Sequence, residues 1–289
     1  MKRIQSPSSI NTYFQCPRKY YFIYNLKLPT SPSIHLVRGS VAHLVLENFF
    51  KIKPTGITNT YKNDLQIIVL GLLKKYWNEL LPEFEKCHLT PDQFNAYYIE
   101  TQMMLMNWAK QFTNKIDKLM AHGISFIDAF TQLRPETEVE YISEQYSVKG
   151  FIDAIEKNND YVRLMDYKTS SKAHITDAYR LQLAIYALLY EEKHNIRPQH
   201  VGIYFLKEKE QLLDVNDELI SHAKFMIEQI HGSTNGYDDI NDYIKKTGPL
   251  CKYSSGQCDF YDYCFNNKPI PTEPLKNVES GRKTESKKE

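Results

Sequence analysis

The chain has 289 residues, of which 42% are hydrophobic and 25% charged, as in an ordinary globular protein. This composition excludes collagen, coiled coil and disorder for most of the chain, and no apolar run reaches the roughly 18 residues that cross a bilayer. The N-terminal sequence lacks the apolar core of a secretory signal, so a cytoplasmic protein with no membrane partner is expected. Because the chain has 36 basic and 35 acidic residues, any basic surface must be local.

The first part of the chain has apolar positions at helical spacing. The pattern predicts helices over residues 8–24, 41–51, 62–81 and 92–121, with a proline-bracketed loop at 82–91. No internal repeat interrupts this helical N-terminal part.

The pattern changes after Arg134, where β-prone segments begin. Strands are predicted over 137–146, 148–156, 161–168, 200–206 and 209–215, with a turn at 158–160 and helices at 177–192 and 218–231. This order predicts an α/β fold, a mixed β-sheet flanked by helices. A Cys-rich coil is expected at 251–264, and a disordered polar tail at 266–289.

Two predicted strands carry carboxylates in apolar surroundings. Asp153 lies between Ile152 and Ala154, while Asp166 and Lys168 are two residues apart and so share one face of their strand. Neighbouring carboxylates repel each other, and a divalent cation such as Mg²⁺ would relieve that repulsion. From the D-x-K pattern alone, a buried ion pair of Lys168 with Asp166 or Asp153 is the favoured explanation.

Two helical residues are also candidates for a site. His43 belongs to the predicted helix at 41–51, with Glu47 one turn later, and a lone helical His is often structural. Gln182 lies in the otherwise apolar segment LQLAIYALLY, where a buried amide needs a polar partner. Either a packed hydrogen bond or a ligand would satisfy it.

The chain has five cysteines, and three of them lie close together near its end. Cys251, Cys258 and Cys264 are spaced C-x6-C-x5-C, and Cys16 or Cys87 could supply a fourth thiolate. In a cytosolic chain this clustering favours a metal site over disulfides. Zinc sites usually show a C-x2-C pair, which is absent here, whereas an iron–sulfur cluster requires only four thiolates.

Four short motifs occur in order along the chain. They are G-x-x-x-H at Gly39–His43, G-x-I-D at Gly150–Asp153, D-Y-K at Asp166–Lys168 and Q-x-x-x-Y at Gln182–Tyr186. Together they resemble the RecB-like branch of the PD-(D/E)XK nucleases, which includes CRISPR-associated exonucleases, over about residues 5–265. The resemblance implies a restriction-endonuclease-like fold in a single domain, 1–265, with a helical insertion at about 55–130.

The resemblance also implies a role for each motif residue. His43, Asp153 and Asp166 would bind Mg²⁺ or Mn²⁺, and Lys168 would be the catalytic lysine. Gln182 and Tyr186 would hold the DNA backbone or brace the site. The family often has Glu at the position of Asp166, and Glu47 is a weaker candidate.

Many RecB-like nucleases carry a 4Fe–4S cluster on one N-terminal and three C-terminal cysteines. The resemblance therefore implies a cluster on Cys16, Cys251, Cys258 and Cys264, forming an iron–sulfur lobe from the Cys16 region and residues 251–264, with Cys87 uninvolved. The six residues between Cys251 and Cys258 depart from the family, which commonly has two. The expected role of the cluster is a structural staple.

The implied function is a metal-dependent DNA exonuclease acting on single-stranded ends. Its pathway would be recombination, repair, phage DNA metabolism or CRISPR adaptation, with a separate helicase or other protein as partner, since no helicase motif is present. Two alternatives are a non-catalytic nucleic-acid-binding module with the same fold and cluster, and a zinc-stabilised interaction protein. The rings of Tyr20, Tyr21 and Phe22, beside Arg18 and Lys19, suit either a strand channel or the core.

Overall fold

A computed structural model of the chain describes residues 3–57, 60–158, 161–171, 173–253, 256–271 and 273–274. Most of the tail expected to be disordered, from 275 on, lies outside these residues, as do positions 159 and 160 of the expected turn. Every helix in the described ranges is too short or too polar to cross a bilayer.

The chain divides into two compact units. The cysteine lobe comprises Met1–Ser31 and Glu228–Glu289, as far as these are described, and the sheet unit comprises Pro32–Ile227. The lobe thus combines the two segments that were expected to form an iron–sulfur lobe. The single domain expected over residues 1–265 stays a prediction.

The predicted helix at 8–24 is broken in the cysteine lobe. Helix α1 (Pro7–Gln15) ends at Cys16, which is extended with φ −161° and ψ 110°, and α2 (Pro17–Tyr20) follows, continued by a π-helical turn. The break is local, because a residue before proline is disfavoured in the helical region. The prediction of one helix was therefore wrong at Cys16.

The aromatic residues after this break pack inside the lobe. Tyr20 and Phe22 are at most 1% exposed and Tyr21 is 9% exposed. The rings of Tyr20 and Tyr243 stack with their centroids 6.0 Å apart. This burial excludes the strand channel and leaves the core as the place of these rings.

The Cys-rich segment is more ordered than the expected coil. It contains the short antiparallel pair β6 (Lys252–Tyr253) and β7 (Gly256–Gln257), followed by helix α10 (Tyr261–Phe265). The six-residue spacing between Cys251 and Cys258 therefore holds a small β-pair.

The helices of the sheet unit differ from prediction mainly at their ends. They are α3 (Ile34–Phe49), α4 (Tyr61–Glu79), α5 (Leu81–Glu85), α6 (Pro91–Ala121), α7 (Phe126–Leu133), α8 (Asp177–His194) and α9 (Asp217–Thr234), the last of which ends in residues of the cysteine lobe. Two of them were not predicted, α5 inside the expected loop and α7, which Ser125 caps by accepting the N–H of Asp128. Helix α3 also begins seven residues before the predicted start.

The sheet confirms the predicted mixed architecture. Its strands are β1 (Glu136–Ser143), β2 (Val148–Asn158), β3 (Tyr161–Lys168), β4 (His200–Phe205) and β5 (Glu210–Asp214). They lie in the order β1-β2-β3-β4-β5, and only β3 and β4 are parallel. Helix α8 makes the crossover that a parallel pair requires.

Helices α3, α4 and α6 share an apolar core with the sheet. Val41, Val45 and Phe49 of α3 are fully buried, and the Phe49 ring lies 5.1 Å from that of Trp108. Because α3 packs its apolar stripe inward, the orientation of His43 on the same helix is fixed.

Candidate active site

Strand β3 ends in the Asp166 and Lys168 pair. The Lys168 Nζ lies 2.5 Å from the Asp166 Oδ2, and the Asp166 side chain is 2% exposed. Burial raises the pKa of Asp166 to about 6, although the Lys168 charge acts in the opposite direction. Burial alone would lower the pKa of Lys168, but the Asp166 carboxylate raises it, so the lysine is an ammonium at neutral pH.

Asp153 and His43 lie beside the same end of β3. The Tyr167 N–H donates to Asp153 Oδ2 at 2.7 Å, and Asp153 Oδ1 lies 3.3 Å from His43 Nδ1. The other ring nitrogen of His43, Nε2, lies 3.0 Å from the Tyr167 carbonyl oxygen. Burial alone would lower the pKa of His43, but Asp153 and Glu138 raise it to about 10. The backbone of Tyr167 thus positions both residues.

Gln182 and Tyr186 of helix α8 connect to the other side of Asp166. The Gln182 amide donates to Asp166 Oδ1 at 2.8 Å and to the Tyr186 hydroxyl at 2.7 Å. Tyr186 is 4% exposed. Its ring packs so closely against Gly150 that a Cβ on residue 150 would lie only 2.9 Å from the ring atom Cε1. These contacts favour bracing of the site over direct contact of Tyr186 with DNA, a role that stays a prediction.

Through the backbone of Tyr167, the six motif residues therefore form one chain of contacts around the end of β3. Glu47 takes no part in this chain of contacts and pairs instead with Lys51, whose Nζ is 2.5 Å from its Oε1. The catalytic and metal-binding roles of the six remain predictions.

Glu138 of β1 also reaches this site and was missed by the sequence analysis. Ligand atoms of His43, Glu138 and Asp153 all lie within 4.8 Å of one another, which makes them the candidate cation site among the described residues. Two of its three donors are carboxylates, the hard oxygen ligands that Mg²⁺ and Mn²⁺ prefer. In the sequence ETEVEY, Glu138 alternates with other acids and looks like the exposed face of a strand.

An ion network centred on the buried Arg38 supports the strand end from helices α3 and α6. Arg38, 4% exposed, pairs with Glu100, and its Nη2 donates to the Thr169 carbonyl at 3.2 Å. Lys207 pairs with the same carboxylate. Since Thr169 follows Lys168, the network anchors the backbone next to the lysine.

The four cysteines of the predicted cluster line one pocket in the cysteine lobe. Cys16, Cys251, Cys258 and Cys264 share it with aromatic rings and three lysines. Of the described cysteines, no three place their sulfurs within 4.8 Å of one another. Cys87 lies in the sheet unit, and its thiol donates to the Glu83 carbonyl at 3.5 Å.

Comparison with known proteins agrees with this geometry. A family model for the PD-(D/E)XK nuclease superfamily matches residues 5–265. The chain belongs to this superfamily. The match covers both units and every motif residue of the site.

Among curated proteins, the chain is similar to helicase/deoxyribonuclease subunits and to a phage protein. It is 25% identical over 237 residues to an ATP-dependent helicase/deoxyribonuclease subunit of Carboxydothermus hydrogenoformans, covering 75% of this chain and 21% of that protein. It is 24% identical to the Gene 69 protein of Mycobacterium phage L5, covering 71% and 77% respectively. The chain thus spans about a fifth of the length of the helicase/deoxyribonuclease subunits.

A solved structure also resembles this chain. The crystal structure of an exonuclease candidate from Eubacterium rectale is 13% identical, with a TM-score of 0.49, and the match covers 95% of this chain and 91% of that one.

Proposed function

We propose that the protein is a metal-dependent DNA nuclease that hydrolyses phosphodiester bonds at the site around β3. The observation that carries the proposal is the convergence of Asp153, Asp166 and Lys168, three family motif residues, at one strand end. Superfamily membership supplies the reaction class.

The charges of the site support a divalent cation. Three carboxylates, those of Glu138, Asp153 and Asp166, face the ammonium of Lys168 and the imidazole of His43. Once His43 is neutral, as a metal ligand must be, two negative charges remain without a partner. One Mg²⁺ or Mn²⁺ would balance them, held by His43, Asp153 and Asp166 as the resemblance implies.

The protein groups have distinct tasks in the proposed reaction. When bound, the cation supplies a Lewis acid that neutralises charge on the phosphate. Lys168, held by Asp166, donates hydrogen bonds to a phosphate oxygen or to the attacking water, and its positive charge stabilises the transition state. Gln182 fixes the Asp166 carboxylate and so the position of Lys168.

We propose single-stranded DNA ends as the substrate and exonucleolytic cleavage as the mode. The proposal comes from the RecB-like motifs, and the relatives named as ATP-dependent helicase/deoxyribonuclease subunits support a helicase as a partner. The pathway would be recombination, repair, phage DNA metabolism or CRISPR adaptation in the cytoplasm.

Digestion of labelled DNA tests this function. Single and double strands labelled at the 5′ or the 3′ end are incubated with Mg²⁺, with Mn²⁺ or with EDTA. Progressive shortening from one end of the single strand, only with a cation, is the expected result. Binding of DNA without cleavage under every condition would favour the non-catalytic binding module instead.

We also propose a 4Fe–4S cluster on Cys16, Cys251, Cys258 and Cys264. The pocket that these four cysteines line together supports it. Burial raises the pKa of the Cys258 and Cys264 thiols, so a positive metal group is needed to hold them as thiolates.

Iron content and visible absorbance test the cluster. We expect a brown protein with about four irons per chain, which Cys258→Ser bleaches. Cys87→Ser is the matched control and should keep the colour. A colourless protein containing zinc would contradict the cluster.

A further inference from the structure

Glu138 has a backbone conformation that is rare for its residue type. Its φ is +52°, in the left-handed region, although it belongs to strand β1. A side chain with a Cβ adopts this region only when the surrounding structure imposes it. Among the described non-glycine residues with positive φ, Glu138 is the one that lies within a strand.

The register of β1 and β2 shows what this conformation achieves. Thr137 pairs with Ala154 and Val139 with Ile152, so Glu138 lies opposite Asp153. Two carboxylates therefore face each other across the strand pair, an arrangement that repels unless a cation lies near both.

The distances around His43 fit a shared ligand sphere. The His43 Nδ1 lies 3.3 Å from Asp153 Oδ1 and 3.7 Å from Glu138 Oε1. In an octahedral site with bonds of about 2.1 Å, adjacent ligand atoms are about 3.0 Å apart and opposite ones about 4.2 Å. The observed distances fall between these limits.

We infer that Glu138 is a cation ligand together with His43 and Asp153, and that its left-handed backbone serves to aim it at the cation. This inference rests on the proposed function and adds a carboxylate from β1 to the ligands that the motifs imply. The competing explanation is an ion pair of Glu138 with protonated His43, which would need no cation.

Binding of Mn²⁺ alone, measured by electron paramagnetic resonance on the full chain, separates the two explanations. We expect Glu138→Gln to weaken Mn²⁺ binding at least tenfold. Glu140→Gln is the matched control, since Glu140 is in the same strand, is similarly exposed (39% against 32%) and pairs with Lys149. It should bind Mn²⁺ within twofold of the wild type.

Glu138→Gly gives a second readout that does not depend on activity. Glycine adopts a positive φ freely, so in the metal-free protein this variant should melt at or above the wild-type temperature while its Mn²⁺ binding falls. If Glu138→Gly instead melts several degrees below the wild type, and Glu138→Gln binds Mn²⁺ as the wild type does, the ion pair is established and the inference is overturned.

Asp153→Asn distinguishes this failure from failure of the proposed function. If Asp153→Asn loses Mn²⁺ binding and Glu138→Gln does not, the site stands and only the role of Glu138 falls. If neither variant changes Mn²⁺ binding, no cation is held there, and both the inference and the proposed site are wrong.

Discussion

The backbone N–H of Tyr167 donates a hydrogen bond to the Asp153 carboxylate at 2.7 Å. This bond joins β2 to β3 at the point where β3 presents Asp166 and Lys168 on the opposite side of Tyr167. Tyr167 therefore binds Asp153 through its N–H and lies between Asp166 and Lys168 in the chain. Small changes at Asp153 should affect both the fold and the chemistry, and the two effects can be separated.

Asp153→Asn and Asp153→Ala should differ in stability but not in activity. Asn keeps an acceptor for the Tyr167 N–H, whereas Ala leaves that buried N–H without a partner at a cost of about 1–3 kcal/mol. Both remove the charge, so both should abolish cleavage. Urea unfolding and DNA digestion measure the two effects, and equal stability of the variants would show that the hydrogen bond contributes little.

Gln182→Ala should lower both the cleavage rate and the affinity for the cation, because Gln182 positions the proposed cation ligand Asp166. The substitution leaves Asp166 Oδ1 and the Tyr186 hydroxyl without their shared donor. Loss of such a supporting hydrogen bond typically costs about 10- to 100-fold in activity or affinity. Steady-state cleavage rates and Mn²⁺ titration test this, and unchanged cleavage would place Gln182 outside the working site.

Gly150→Ala should destabilise the sheet unit. Its Cβ would stand 2.9 Å from Cε1 of the buried Tyr186 ring, and overpacking of this kind costs about 1–3 kcal/mol. Gly71→Ala, in helix α4 with open space around it, is the control and should stabilise by up to about 1 kcal/mol. Equal unfolding midpoints for the two variants would contradict the close contact.

The ion network at Glu100 predicts a pH-dependent contribution to stability. Burial alone would raise the pKa of Glu100, but the hydrogen bond from Lys207 and the Arg38 charge lower it below its usual value. A carboxylate whose pKa is lower in the folded than in the unfolded protein stabilises the fold at pH values above its unfolded pKa, near 4.5. This contribution disappears as the pH falls through the lower pKa of the folded state. The wild type should therefore exceed Glu100→Gln in unfolding free energy at about pH 6.5, with the gap closing towards about pH 3.5. A gap independent of pH would contradict this.

The sequence predicted the centre of the site better than its periphery. Strand alternation alone placed Asp166 and Lys168 on one face, because period-two geometry leaves no other choice. The position of His43 next to Asp153 required the motif resemblance, since the two residues are 110 positions apart in the sequence. Their contact depends on how α3 packs on the sheet.

Other features lay outside the reach of pattern reasoning. Nothing in the residue type of Glu138 signals its left-handed backbone. The break at Cys16 was readable from Pro17, but the aromatic periodicity on both sides suggested a continuous helix. The break at Cys16 is thus a local effect of Pro17 that outweighs the aromatic periodicity.

The most direct test of the central claim is single-turnover cleavage of an end-labelled single strand with Mn²⁺ by Lys168→Ala. Lys149→Ala, an exposed lysine on β2 that pairs with Glu140, is the control. The account predicts no detectable cleavage by Lys168→Ala, normal cleavage by Lys149→Ala, and the same DNA affinity for both in EDTA. Wild-type cleavage by a folded Lys168→Ala protein would show that hydrolysis does not take place at this site.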